Sequence, residues 1–146
     1  LLAHDYKVQV IGTPDDIKHC EYDSSVKFPA GVEIYTDLPL PAVADKIASS
    51  AISVANDCGL AHISHATHTP TLVLSGPVPP TKSLPPGVNF LYTHACPYQP
   101  CYREFDDWNV SHQVGRCKQE CLYAINPELV YNEIVDIITD NSQQSY

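Results

Sequence analysis

The feature that most constrains this chain is a repeated alternation: short β-branched runs, each closed by a turn, each followed by residues with apolar positions at helical spacing. Lys7-Val8-Gln9-Val10-Ile11-Gly12 is the first run. Thr13-Pro14-Asp15-Asp16 after it can open a helix, because proline fixes φ for the first helical position and acids suit the first turn. Val32-Glu33-Ile34-Tyr35 reads as a second strand, and residues 40–50 as a helix with Val43, Ala44, Ile47 and Ala48 on one stripe. Ala51-Ile52-Ser53-Val54-Ala55 has the continuous apolar character of a buried parallel strand; Asn56-Asp57-Cys58-Gly59 interrupts it, and helical spacing resumes over 60–67. Thr71-Leu72-Val73-Leu74-Ser75-Gly76 is a further buried strand and 88–92 a last short one. Between those two, Pro77, Pro79, Pro80, Pro85 and Pro86 predict a loop without regular structure. Asn126-Pro127-Glu128 opens a final helix to about residue 140 on Val130, Ile134, Ile137 and Ile138, with 141–146 expected to fray. Such alternation implies an α/β fold of three layers, a parallel sheet with helices on both faces, and ligands at the carboxyl ends of its strands.

With 146 residues, 44% of them hydrophobic, the chain has the size and apolar content of one domain over 1–146, with a Cys-rich insertion at 94–122 and no internal repeat or linker. Its 17 acidic against 8 basic residues give a formal net charge of -9, which argues against partners bound by neutralising a nucleic-acid backbone or an anionic membrane. A single phosphorylated ligand remains compatible, because a helix N-terminus can hold it through backbone N–H groups. No apolar run approaches the roughly eighteen residues of a membrane helix, and Leu1-Leu2-Ala3-His4-Asp5 lacks the basic start of a signal peptide, so the expected location is cytoplasmic. The chain contains no Met, which suggests a piece of a longer polypeptide.

The most informative stretch is Asn56-Asp57-Cys58-Gly59-Leu60-Ala61-His62. If a strand ends near Ala55 and a helix begins near Cys58, the N–H groups of Cys58, Gly59 and Leu60 have no partner within the helix and form an anion site. Gly59 lets a phosphate approach the backbone, and His62, four residues after Cys58, can return its ring toward the same ligand. The competing reading of these residues is Asp57 as an ordinary N-cap and His62 as a surface histidine.

This turn, followed by Pro70, an apolar strand and Gly76-Pro77, resembles the signature of glycosyltransferase family 9, the heptosyltransferase-like enzymes. The resemblance covers nearly the whole chain. It implies the Rossmann-like C-terminal half of a GT-B glycosyltransferase, lacking its first strand and helix, with the catalytic base in an N-terminal half that this sequence does not contain. It further implies that Asp57, Cys58, Gly59, Leu60 and His62 bind the diphosphate and sugar of an ADP-heptose-like donor. Asp15 and Asp16 would lie near its ribose, although acids in a first turn are equally accounted for by the helix dipole. Cys58 departs from the hydroxylated residue usual in the family, and Val78-Pro79-Pro80 replaces another hydroxyl, for which Lys82 is a substitute or else a solvated loop lysine.

Of six cysteines, four crowd together: Cys96 with Cys101, then Cys117 with Cys121. Two close pairs joined by a loop have the form of a tetrahedral structural site for zinc or iron, with His94 and His112 as spare ligands; free thiols and disulfides are the alternatives. Tyr98, Tyr102, Phe105 and Trp108 around them read as local core before partner surface, and Cys20 as a half-buried thiol.

Taken together, the resemblance implies the donor-binding domain of an inverting enzyme that passes a heptose-like sugar to a glycan or protein acceptor, as in lipopolysaccharide biosynthesis. No cofactor is expected for transfer, and the chain by itself is expected to be inactive without its N-terminal half. Two alternatives from other classes are a catalytically inactive, metal-stabilised binding or assembly module and a plain thiol or zinc structural domain. An epimerase of the same architecture fits less well at the glycine turn.

Overall fold

A computed structural model describes residues 6–22, 27–97, 99–101 and 120–143. The chain divides into two compact units, Leu1–Lys46 and Ile47–Tyr146.

In the first unit, β1 (Gln9–Ile11) pairs in parallel with β2 (Glu33–Tyr35), Gln9 beside Glu33 and Ile11 beside Tyr35. Helix α1 (Pro14–Tyr22) begins where the sequence placed it, and the local reason is a reciprocal cap. Thr13 donates its N–H and its hydroxyl to Asp16 Oδ2 at 2.8 and 2.7 Å, while the Thr13 hydroxyl oxygen accepts from the Asp16 N–H at 3.2 Å. Two otherwise orphaned donors are satisfied in this way. Helix α2 (Leu40–Ala48) follows β2 and ends two residues into the second unit. Across the strand pair, Glu33 gathers Lys7 Nζ (2.8 Å), Gln9 Nε2 (2.9 Å) and the Tyr35 hydroxyl (2.7 Å), and Lys46 Nζ sits 3.6 Å over the Tyr35 ring.

In the second unit, β3 (Ser53–Asn56), β4 (Thr71–Ser75) and β5 (Asn89–Tyr92) form a parallel sheet in the order β3-β4-β5. The central strand holds the core: Leu72 and Val73 on its opposite faces are both fully buried, as expected of a parallel strand covered on both sides. Helix α3 (Gly59–Ala66) connects β3 to β4 and packs on both. It stops where Thr67 donates back to the Ile63 carbonyl at 2.9 Å and His68 turns the chain through φ 57°. Thr69 then anchors the return by donating its hydroxyl to the Ile47 carbonyl at 3.0 Å. Ala61, Ile125, Ile134 and Ile137 are buried in the same unit.

The alternation read from the sequence is therefore a mixed α/β chain with parallel sheets, two among the described residues, with two and three strands. Two local expectations are corrected. The proline-rich stretch contains a short helix α4 (Pro80–Ser83), because Pro80 stands at its first position, where no N–H is required, and the Leu84 N–H closes the turn on the Pro80 carbonyl at 2.9 Å. The last helix, α6 (Pro127–Gln143), outlasts the predicted end. It begins on an Asn126 side-chain cap to the Glu128 N–H (2.8 Å), and near its end Asn141 Nδ2 donates to the Ile137 carbonyl at 2.7 Å. A short helix α5 (Glu120–Tyr123) precedes it.

The Glu33 cluster yields a test. Hydrogen bonds from Lys7, Tyr35 and Gln9 hold the Glu33 carboxyl down to about 2. Because the folded value is depressed, the cluster supports the fold above the ordinary carboxylate range and loses that support as pH falls from about 4.5 through about 2. Carboxyl-detected NMR titration should show Glu33 protonating near 2, and Lys7→Ala should move it upward; an ordinary value in the parent protein would refute the arrangement.

Candidate functional site

Asn56 ends β3 and Gly59 starts α3, so two residues, Asp57 and Cys58, carry the chain from sheet to helix. Cys58 is the N-cap, extended at φ -153° and ψ 175°, and its side chain makes no capping bond. The Asp57 N-cap of the competing reading is thus not what forms. The Cys58 carbonyl accepts from the Ala61 N–H at 3.1 Å, and the N–H groups of Gly59 and Leu60 precede the first residue that can bond back into the helix. A Cβ placed on Gly59 would meet nothing within 4 Å, so the backbone there is open to a ligand. Asp57 is half-buried, and no hydrogen bond or ion pair ties its carboxylate to the other described residues; Cys58 and His62 are exposed, and Leu60 is half-buried. All five residues singled out by sequence lie within or beside this one turn. Its charge character is that of a helix N-terminus, a partial positive charge that no described side chain caps.

What holds the turn in place was not legible beforehand. Ser64, fully buried on the inner face of α3, lies 2.9 Å from the Leu60 carbonyl and 2.8 Å from the Ser53 hydroxyl; donating to the first, it accepts from the second. One hydroxyl pair thereby fixes the helix against the strand that precedes it. A serine four residues after Leu60 and three after buried Ala61, on the apolar stripe, was the available signal.

The parallel register sets Asn56 beside Leu74, so the loop after β4 leaves the sheet at the same edge as the turn. That loop is also tied. The Ser75 hydroxyl donates to the Val78 carbonyl at 2.9 Å, and Gln99 Nε2 donates to the Gly76 carbonyl at 2.7 Å. Gly76 is buried under α5: a Cβ there would stand 3.1 Å from Leu122 Cγ and 3.5 Å from Cys121 Sγ. Lys82 is exposed on α4.

The remaining expected residues fall elsewhere. Asp15 and Asp16 belong to the first unit, where Asp16 Oδ2 caps α1 and Asp15 forms an exposed pair with Lys18 at 3.6 Å. Cys96, Cys101 and Cys121 are free thiols, but among the described residues no group of three His, Cys, Asp or Glu side chains could hold a metal ion, so the zinc or iron expected there finds no support. Cys117, His112, Tyr98, Tyr102, Phe105 and Trp108 lie outside the described residues, as do the surroundings of Cys20. His94 meets the Tyr92 ring edge-on at 4.9 Å. A cavity of about 230 Å³ lined by His65, His68, Thr71 and Asn89 lies at the amino ends of β4 and β5, the end of the sheet away from the turn. No described helix is long and apolar enough to cross a membrane.

A model of glycosyltransferase family 9 (heptosyltransferase) matches residues 1–113, a span that includes the turn. Among solved structures, the Escherichia coli ADP-heptose LPS heptosyltransferase II is similar, with a TM-score of 0.69 and 19% identity. The match covers 94% of this chain and 38% of that one, so this chain spans well under half the length of the enzyme it resembles, and at that identity the likeness is one of fold. No curated protein sequence matches.

The two glycines make opposite predictions. Gly76→Ala should cost about 1–3 kcal/mol in urea unfolding, since Leu122 must yield to the added methyl. Gly59→Ala, which meets open space, should be neutral or stabilising by up to about 1 kcal/mol. Equal effects at the two sites would contradict the packing described.

Proposed function

This chain belongs to glycosyltransferase family 9, and we propose that it is the donor-binding half of a sugar transferase, holding the diphosphate of a nucleotide sugar of the ADP-heptose kind on the N-terminus of α3. The observation that carries the reading is the uncapped start of that helix: an N-cap without a side-chain bond, a glycine open to solvent, and an uncommitted carboxylate beside it at the carboxyl end of a parallel strand. In this reading the Gly59 and Leu60 N–H groups, with that of Cys58, meet the phosphate oxygens, and His62 donates to one of them. Asp57 orders the turn or accepts from sugar hydroxyls. Asp15 and Asp16 as acids for the donor's ribose rest on the family resemblance alone; the Asp16 Oδ2 is engaged in its own helix cap.

Transfer would proceed by attack of an acceptor hydroxyl on the anomeric carbon, from the face opposite the departing diphosphate, with inversion. Negative charge grows on the leaving phosphate as the C–O bond breaks, and fixed N–H dipoles aimed at that position stabilise it more in the transition state than in the ground state. No cation or cofactor is needed for that step. The acceptor, a glycan or protein, and the base that takes its proton would be met by an N-terminal half, as in a two-domain enzyme, and the chain alone would bind donor without transferring it.

Calorimetric titration with ADP and with ADP-heptose tests the reading. We expect saturable binding, weakened about tenfold or more by His62→Ala through loss of a hydrogen bond to a charged group worth about 1.5–3 kcal/mol. Folded protein that binds neither ligand would overturn the donor-site reading and leave a structural or assembly role.

A further inference from the structure

We propose that Ser53 and Ser64 are positioning residues for the donor diphosphate, the start of a hydrogen-bond relay that ends on the Gly59 N–H. The inference rests on the reading of the α3 N-terminus as the phosphate site, and it assigns to that site two residues that touch no ligand. The relay runs through three hydrogen bonds and two peptide units. The Ser53 hydroxyl donates to the Ser64 hydroxyl at 2.8 Å, and Ser64 donates to the Leu60 carbonyl at 2.9 Å. That carbonyl shares a peptide unit with the Ala61 N–H, which donates to the Cys58 carbonyl at 3.1 Å. The Cys58 carbonyl in turn shares a peptide unit with the Gly59 N–H, one of the groups that open the helix. The direction is fixed from the carbonyl end. Leu60 O can only accept, so the single Ser64 proton goes there, and Ser64 Oγ is left to accept from Ser53.

The physical effect follows from amide resonance. A hydrogen bond accepted by a peptide oxygen draws charge toward it and makes the N–H across the same unit a stronger donor. Each bond in such a chain strengthens the next by about 10–30%. Here every donor points the same way, from the strand toward the open end of the helix. Ser64 is 0% exposed and Ala61 is 2% exposed, so water does not compete for these bonds. For the helix alone, alanine would serve better at 64, since it has the higher propensity and buries no polar atom. Removing the Ser64 hydroxyl therefore leaves the helix able to form, and half-buried Ser53 can turn to solvent. What is lost is the polarisation of the Leu60 and Cys58 peptides.

The test compares the 15N,13C-labelled parent chain with Ser64→Ala, Ser53→Ala and the double variant, by calorimetric titration with ADP and by the resonances of the turn without ligand. Ser64→Ala should weaken ADP binding about three- to tenfold, and Ser53→Ala about twofold. The double variant should bind like Ser64→Ala, because Ser53 reaches the turn only through Ser64. Without ligand, the Gly59 amide proton should move upfield in both single variants. The Cα resonances of Cys58, Gly59 and Leu60, which follow the backbone angles, should stay in place. Parent affinity in Ser64→Ala, a further loss in the double variant, or an unmoved Gly59 amide proton would each overturn the proposal and leave the donor site standing. Cα resonances that move with the amide proton would also overturn it, since they report a displaced turn and not a polarised one. A parent chain that binds no ADP overturns the donor-site reading, and the proposal with it.

Discussion

Parallel pairing of β3 with β4 puts Asn56 and Leu74 side by side, so the chain leaves both strands at one edge of the sheet. Everything that follows at the candidate site depends on that register. The residue after the first exit becomes the lead into α3, the residue after the second becomes Ser75-Gly76, and the two connections are neighbours because the strands are. A shift by one residue would turn Leu72 and Val73 to the wrong faces of a strand buried on both sides. The core and the site are therefore specified by the same pairing, and the hydroxyl pair of Ser53 and Ser64 sets the helix on that sheet from within.

The site that results is built almost wholly from backbone. Its cap residue, Cys58, contributes no side-chain bond, and Gly59 contributes no side chain at all, which leaves N–H dipoles as the groups the proposed site would present. A chain with a formal charge of -9 can accept an anion this way, because the field of one helix end acts at contact distance whatever the sign of the distant surface. The loop beside it is held by a different means. Gly76 is pinned by a glutamine from one side and by Leu122 and Cys121 from the other, which makes the cysteine-bearing segment a support for the site edge.

The local patterns were legible in the sequence: β-branched runs bounded by turns gave the strands, and Asn56 to His62 showed a strand-to-helix turn that pointed to the family. The non-local contacts were not. Nothing in the spacing of Gln99 points to Gly76, and the Ser53–Ser64 bond is visible only once α3 lies on β3. Proline misled in one place for a physical reason: counted as a breaker, it is also the residue best suited to the first position of a helix, and Pro80 uses that position. The cysteine spacing suggested a metal cage because ligand pairs repeat along the chain, yet three of those thiols form no metal-holding group in the fold. Asp16 has a local role that its spacing alone did not reveal, its Oδ2 accepting the cap bonds of its own helix.

The central claim is that the first N–H groups of α3 receive a diphosphate. Following the backbone amide resonances of the 15N-labelled chain during titration with ADP tests it most directly. The account predicts large, saturable shifts at Gly59 and Leu60, whose N–H groups open the helix. Saturation with ADP that leaves those two amides unmoved while moving residues around the His65, Thr71 and Asn89 cavity would contradict it.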